Sequence, residues 1–110
     1  MSDLPGYRAV WLLVMFDLPV DDADARRRYS KFRKELLKDG FLMLQFSVYG
    51  RFCSSEDAAD VHRKRVRRAI PEYGEVRILH VTDRQFAKME VLRGKKPAPP
   101  EEAPPLLLLM

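Results

Sequence analysis

The chain has 110 residues, of which 46% are hydrophobic and 33% are charged, a balance typical of a soluble globular domain. A chain of this length supports one compact core, and it is too short for a Rossmann domain, a TIM barrel or a kinase fold. The formal net charge is +4. Such a mild positive excess excludes few classes of function by itself, so the distribution of the charges along the chain is more informative.

Cysteine and histidine are scarce. The single cysteine, Cys53, is expected to be buried, and one cysteine excludes an intrachain disulfide and a zinc site built from thiolates. His62 and His80 do not have the spacing of a pair of metal ligands. His80 is expected to lie in the core or to be partly buried. His62 lies among basic residues and is expected to contact phosphate. The start of the chain lacks a secretory pattern, and the longest apolar run, residues 9–16, is too short to span a membrane. We therefore expect a reduced, cytoplasmic protein that does not associate with membranes.

The first predicted elements are a strand and a helix. Residues 8–16 form a near-continuous apolar run of strand length, and apolar residues at both parities predict a central strand of a sheet. The strand ends at Asp17, ahead of a proline that cannot donate to a ladder. A helix is predicted over residues 22–39, with aspartates at its start and one apolar face that consists of Tyr29, Phe32 and Leu36.

The middle of the chain predicts extended structure and a second helix. Residues 41–53 are rich in aromatic and β-branched residues. They fit one long strand with a bulge at Gly50, or two short paired strands. Ser54, followed three residues later by Asp57, resembles a capping box and predicts a helix over residues 55–69.

The last third of the chain predicts one more strand and a tail. Residues 75–82 have strand composition, and residues 86–92 are expected to be a final extended segment. From residue 95 the chain becomes proline-rich, so we predict a folded domain over residues 1–94 and a disordered tail over residues 95–110. The apolar residues 106–110 at its end are either a frayed end or a short docking peptide.

The order of these elements predicts an α+β fold, a ferredoxin-like βαββαβ sandwich with an extra C-terminal strand. Both helices then lie on one face of an antiparallel sheet, and the other face stays open. Apolar strands are costly to leave in water, so we expect a partner to cover the open face. A homodimer joined sheet to sheet is the simplest arrangement.

The two predicted helices are strongly basic and carry 12 of the 20 lysines and arginines. Acidic residues concentrate at the helix starts, which leaves the remainder of each helix positive. Two such helices side by side favour binding of a phosphate backbone without strong sequence readout, whereas the plainer alternative is a solvated helix face. The candidate nucleic-acid-binding residues, which we call the basic surface, are Arg26, Arg27, Lys31, Lys34, Arg51, Arg63, Lys64, Arg67 and Arg68.

Asp17 is the candidate catalytic and metal-binding residue. A carboxylate at the end of a rigid central strand suits Mg²⁺, which prefers oxygen ligands, although a turn residue is the plainer interpretation of one aspartate. In a twofold dimer, two copies of Asp17 ~5 Å apart would repel by about 3 kcal/mol at an effective dielectric near 20. Such a pair takes up a proton or binds a cation. A bound Mg²⁺ would position water for phosphodiester hydrolysis.

Three segments together resemble a known family: VMFDLP at residues 14–19, LQFSVYGR at 44–51 and GEVRILHVTDRQF at 74–86. They are similar to the Cas2 family of CRISPR-associated proteins, most of all to members from type II systems. The resemblance covers about residues 8–91. It implies a ferredoxin-like homodimer whose last strand, here residues 89–92, pairs with the partner's sheet.

The resemblance also implies a function. Cas2 proteins are described as metal-dependent endonucleases on single-stranded RNA or double-stranded DNA, with the metal held by the strand-end aspartate of both subunits, here Asp17. The same resemblance implies a scaffold between two dimers of the Cas1 integrase, with duplex prespacer DNA on its basic surface during spacer acquisition. We therefore expect duplex DNA binding and slow Mg²⁺-dependent cleavage. The alternative is a dimeric ferredoxin-like regulatory or nucleic-acid-binding module without catalysis.

Overall fold

A computed structural model describes residues 8–96. In this range the chain forms a four-stranded antiparallel sheet, with the strands in the spatial order second, third, first, fourth along the chain and helices packed on it, which confirms the predicted α+β, ferredoxin-like class. Residues 41–53 form two paired strands rather than one, and the irregular pairing lies in the first of them, not at Gly50. The elements are β1 (Val10–Asp17), α1 (Ala23–Lys38), β2 (Leu42–Gln45), β3 (Val48–Cys53), α2 (Glu56–Ala69), β4 (Glu75–Thr82) and α3 (Asp83–Ala87).

β1 is the central strand, as predicted, and pairs antiparallel with β3 on one side and β4 on the other. Successive side chains of a strand point to opposite faces, so β1 divides its residues between two environments. Val10, Leu12, Val14 and Phe16 lie on the helix side and are buried in the core. The Phe16 ring lies 5.1 Å from the ring of Phe32 on α1, measured between centroids.

The two long helices begin at capping side chains. Asp22 caps α1 as predicted, with its Oδ1 accepting from the Ala25 backbone N at 2.7 Å. The prediction of Ser54 as the cap of α2 is wrong. Ser55 has the extended backbone that an N-cap needs, and its Oγ accepts from the Ala58 N at 3.0 Å. Between residues 8 and 96, none of the helices combines the length and the apolar character needed to cross a membrane.

The two helices contribute unequally to the core. α1 buries the predicted apolar face of Tyr29, Phe32 and Leu36. α2 buries only Ala59 and Val66, and its other large apolar residue, Val61, stays exposed. The weaker apolar stripe on α2 leaves a cleft between the helices, described below.

The expected extended segment over residues 86–92 is partly wrong. Thr82 and Gln85 form a capping box that starts the short helix α3, and Phe86 belongs to that helix. The Phe86 ring stacks on Trp11 at 3.9 Å between centroids, which holds α3 against the sheet. Residues 88–96 contain no strand, so the extra C-terminal strand is absent from the described part of this single chain; its pairing with a partner stays a prediction. Disorder is predicted for residues 95–110, of which residues 97–110 lie outside the described range.

The sheet face opposite α1 and α2 is apolar, and within residues 8–96 the short helix α3 covers it only at Trp11, through Phe86. We call it the open face, and it consists of Trp11, Leu13, Met15, Leu44, Phe52 and Leu79. Leu79, Phe52 and Leu44 are each more than two-fifths exposed in the single chain, whereas Leu13 at the centre is 8% exposed. A contiguous exposed apolar face of this kind marks an interaction surface.

Gly74 fixes the approach to β4. It has a φ of +101°, and a Cβ added there would lie 2.7 Å from the Asp17 carbonyl oxygen and 2.6 Å from a Leu18 methyl carbon. We expect Gly74→Ala to destabilise the fold by roughly 2–4 kcal/mol, because left-handed strain adds to the clash with backbone. Gly94→Ala, where the nearest atom is at 3.4 Å, is the matched control. Equal denaturant midpoints for the two variants would contradict this account.

Candidate functional site

Asp17 ends β1 on the open face. Side chains alternate between the two faces along a strand, so Asp17 lies on the same face as Leu13 and Met15. Its exposed carboxylate is therefore on the side of the sheet away from α1 and α2. The backbone beside it is held on both sides. The Phe16 N donates to the Ser47 carbonyl oxygen at 3.1 Å, and Gly74 packs against the Asp17 carbonyl. The carboxylate therefore projects from a rigid support.

Glu75 is a second carboxylate at this edge, which the sequence did not reveal. The register of β1 and β4 places it directly opposite Asp17 on the same face. Its own partner is Arg77, at 3.6 Å between side-chain atoms, and both side chains are exposed. In residues 8–96 no three potential ligands among His, Cys, Asp and Glu lie close enough to hold a metal together. One chain thus offers a partial set of oxygen ligands here.

The members of the basic surface on α1 and α2 lie on the opposite side of the sheet from Asp17. Among them, the side chains that are exposed and have no hydrogen-bond or ion-pair partner within residues 8–96 are Lys31, Lys34, Arg67 and Arg68. Others pair within their own helix: Arg27 with Asp24, and Arg63 and Lys64 with Asp60. The hydrogen bonds from Arg63 and Lys64 lower the pKa of the Asp60 carboxyl below its ordinary value.

Two further members are held by the fold itself. Arg26 is half-buried, and its Nη1 donates to the Val20 carbonyl at 3.4 Å. Arg51 donates from Nε to the Asp39 carbonyl at 2.8 Å and from Nη1 to the Phe52 carbonyl at 2.6 Å. Both guanidinium groups thus have backbone partners, and their contact with nucleic acid stays a prediction.

The two histidines both pair with carboxylates. His62, expected to meet phosphate, has its Nδ1 2.8 Å from Asp39 Oδ2, and Arg65 donates to the other carboxylate oxygen of Asp39 at 2.7 Å. Asp39 thereby ties the end of α1 to α2. His80, expected in the core or partly buried, lies outside the core with a side chain that is 42% exposed, and its Nε2 lies 2.8 Å from Glu56 Oε2. These contacts join elements of the fold.

Cys53 is buried as predicted, at 1% exposure. Burial raises the pKa of its thiol above the ordinary value, and the nearby Arg51 opposes that shift only in part. The thiol is therefore protonated at neutral pH. A buried, protonated thiol is a poor nucleophile, which separates Cys53 from the candidate site.

Together these features define a class of protein: a small ferredoxin-like domain with a strand-end carboxylate on one sheet face and a cationic helix layer on the other. The family model for "CRISPR associated protein Cas2" matches residues 10–89. The chain belongs to the Cas2 family, as its motifs predict.

Curated relatives agree with this assignment, and a solved structure agrees with the fold. A protein of Flavobacterium psychrophilum named "CRISPR-associated endoribonuclease Cas2" is 51% identical over 94 residues, which cover 86% of this chain and 82% of that one. A protein of the same name from Parvibaculum lavamentivorans is 49% identical over 100 residues, which cover 91% and 99% of the two chains. A structure titled "Crystal structure of cas2" shares the fold, with a TM-score of 0.54 at 22% identity, and the match covers 86% of this chain and 99% of that one.

Proposed function

We propose that the chain is a dimeric scaffold of CRISPR adaptation, which binds duplex prespacer DNA and bridges two dimers of the Cas1 integrase during spacer acquisition. We further propose a slow Mg²⁺-dependent endonuclease activity on single-stranded RNA or double-stranded DNA. Membership of the Cas2 family supports both parts, since the curated relatives carry the name of a CRISPR-associated endoribonuclease.

The open face supports the homodimer. It presents large apolar side chains from all four strands, and an apolar face of this kind can meet a second copy of itself across a twofold axis. Leu13 lies at its centre, near Leu44 and opposite Leu79. Burying this face against a second copy removes the apolar exposure that a single chain leaves in water.

The position of Asp17 supports a shared metal site. Because Asp17 lies on the open face, a sheet-to-sheet dimer brings the two copies of this carboxylate to the same interface. Mg²⁺ keeps several waters and needs only one or two carboxylates from protein, so two exposed aspartates fit it. The ion would supply Lewis acidity and an activated water. The chain's own contribution is to hold the carboxylates on rigid strand ends.

The layer of unpaired cations on α1 and α2 is the observation that carries the nucleic-acid proposal. Lys31, Lys34, Arg67 and Arg68 are exposed and have no acidic partner in the described range. Neutralising phosphates with such cations releases counterions, which gives strong binding at low salt without sequence readout. Duplex DNA offers the regular phosphate array that this layer suits.

Charge reversal tests this layer. The variant Lys31→Glu, Lys34→Glu, Arg67→Glu, Arg68→Glu is expected to bind duplex DNA roughly a hundredfold more weakly, with a salt slope shallower by about 0.9 for each phosphate that it no longer neutralises. The matched control reverses four exposed cations outside the two helices: Arg84, Lys88, Arg93 and Lys95. Fluorescence anisotropy over a salt series measures both. Equally weakened binding in the two variants would show that net charge, and not the helix layer, governs affinity.

A further inference from the structure

A cleft lies between α1 and α2 that neither the dimer nor the metal site uses. It has a volume of about 660 Å³ and runs beside the C-terminal halves of both helices. Its floor is apolar, with buried Leu36 and Val66 below and Ile70, 46% exposed, at one end. The cleft exists because α2 buries few large side chains against α1.

The rim of the cleft is cationic. Five cations line it, Arg28, Lys31, Lys38, Arg65 and Arg68, against three carboxylates, Glu35, Asp39 and Glu72. Arg65 is paired with Asp39, and Arg28 lies over the ring of Tyr73 at 5.1 Å. Lys31, Lys38 and Arg68 have no side-chain partner within the described residues. An apolar floor with free cations above it suits a segment that is both acidic and apolar.

The C-terminal segment of this chain has that composition. Residues 97–110 contain two adjacent acids, Glu101 and Glu102, no lysine or arginine, and the apolar run 106–110. Five prolines in this segment favour polyproline II, which rises about 3.1 Å per residue. The 14 residues after Lys96 therefore span up to roughly 40 Å in this conformation.

We propose that the cleft between α1 and α2 binds residues 101–110 of the same chain, with the glutamates beside the free cations and the leucines on the apolar floor. Tethering supplies an effective concentration on the order of 1 mM, so a weak contact suffices to occupy the cleft. Lys31 and Arg68 belong both to the cleft and to the basic surface. The docked segment therefore competes with nucleic acid, and this consequence alone rests on the proposed function.

The chain offers a direct reporter. Ile70 and Ile78 are its only isoleucines; Ile70 lines the cleft, and Ile78 packs against the core from β4. In full-length protein with ¹³C-labelled isoleucine methyl groups, we expect Leu107→Ser/Leu108→Ser to displace the Ile70 resonance and leave Ile78 in place. Glu101→Lys/Glu102→Lys is expected to shift the Ile70 resonance toward the same value, that of the undocked state. Ala98→Ser, in the spacer, is the matched control and is expected to move neither.

The outcomes separate the two levels of the proposal. If the Ile70 methyl resonance has the same chemical shift in the wild type and in both double variants, docking is overturned. If that chemical shift depends on protein concentration, the cleft is occupied by the tail of another molecule instead. Release of the segment is expected to raise duplex DNA affinity roughly two- to tenfold, because the protein molecules whose cleft was occupied become able to bind DNA. Unchanged affinity with a displaced Ile70 would overturn the competition. A wild-type chain that binds no nucleic acid would contradict the proposed function and leave the methyl result intact.

Discussion

Asp17→Asn is expected to lower Mg²⁺-dependent cleavage by roughly a thousandfold while duplex DNA affinity stays within about twofold of the wild type. A metal ion contributes several kcal/mol of transition-state stabilisation, and each 1.36 kcal/mol corresponds to a factor of about ten in rate. Asparagine keeps the size of the side chain and removes the charge that holds the cation. Binding is expected to persist because the cations of α1 and α2 lie across the sheet from Asp17.

The control for this variant is Asp21→Asn. Asp21 is an exposed acid in the turn after β1, four residues from Asp17, and its replacement removes the same charge without touching the strand end. Cleavage of a labelled duplex and of a single-stranded RNA is measured over an Mg²⁺ titration. If Asp17→Asn cuts as fast as the wild type, Asp17 is not the metal ligand. If neither the wild type nor the variant cuts and both bind, the non-catalytic module is the correct alternative.

Leu79→Lys is expected to convert the dimer to a monomer and to remove cleavage with it. Leu79 lies opposite Leu13 at the centre of the open face and is 47% exposed in the single chain. Burying an unpaired ammonium at an interface costs several kcal/mol, so the dimer is expected to weaken by at least roughly a hundredfold. Separating the chains also separates the two Asp17 carboxylates, which dismantles the shared metal site without a change at either aspartate.

Val61→Lys is the matched control, since Val61 on α2 is also 47% exposed but lies on the helix side of the sheet. Sedimentation velocity gives the oligomeric state of both variants, and thermal unfolding reports whether each chain remains folded. A Leu79→Lys protein that sediments as a dimer would contradict the open face as the interface. Dissociation with unchanged cleavage would instead show that one chain carries a complete metal site.

Local patterns were enough to predict the elements whose structure is decided locally. The apolar run of β1, the aspartate cap of α1 and the strand composition of β4 each predicted an element close to its observed bounds. The position of Asp17 at a strand end followed from the same run. Its face, however, depends on the side of β1 against which the helices pack, and a strand that is apolar at both alternating sets of positions does not indicate that side.

The parts that sequence reasoning missed depend on contacts between distant residues. Phe86 and Ala87, predicted as the start of an extended segment, belong to α3 instead; Phe86 stacks on Trp11, and the Trp11 indole N donates to Asp83 at 2.9 Å across 72 positions. The sequence indicates only that Asp39 lies at the end of a helix. In the fold, its carboxylate contacts the side chains of His62 and Arg65 on α2. The choice of Ser55 over Ser54 as a cap is likewise made by backbone geometry, since both residues have the right side chain.

The sidedness of the sheet has a consequence for how many nucleic acid molecules one assembly can hold. If two copies join through their open faces, the layers run helix, sheet, sheet, helix, and the two cationic helix layers point in opposite directions. Duplex DNA has a persistence length of roughly 50 nm, so a short duplex cannot wrap from one layer to the other. A saturating titration therefore counts two short duplexes for each dimer if they bind on the helices, and one if a single duplex lies along the rim between them.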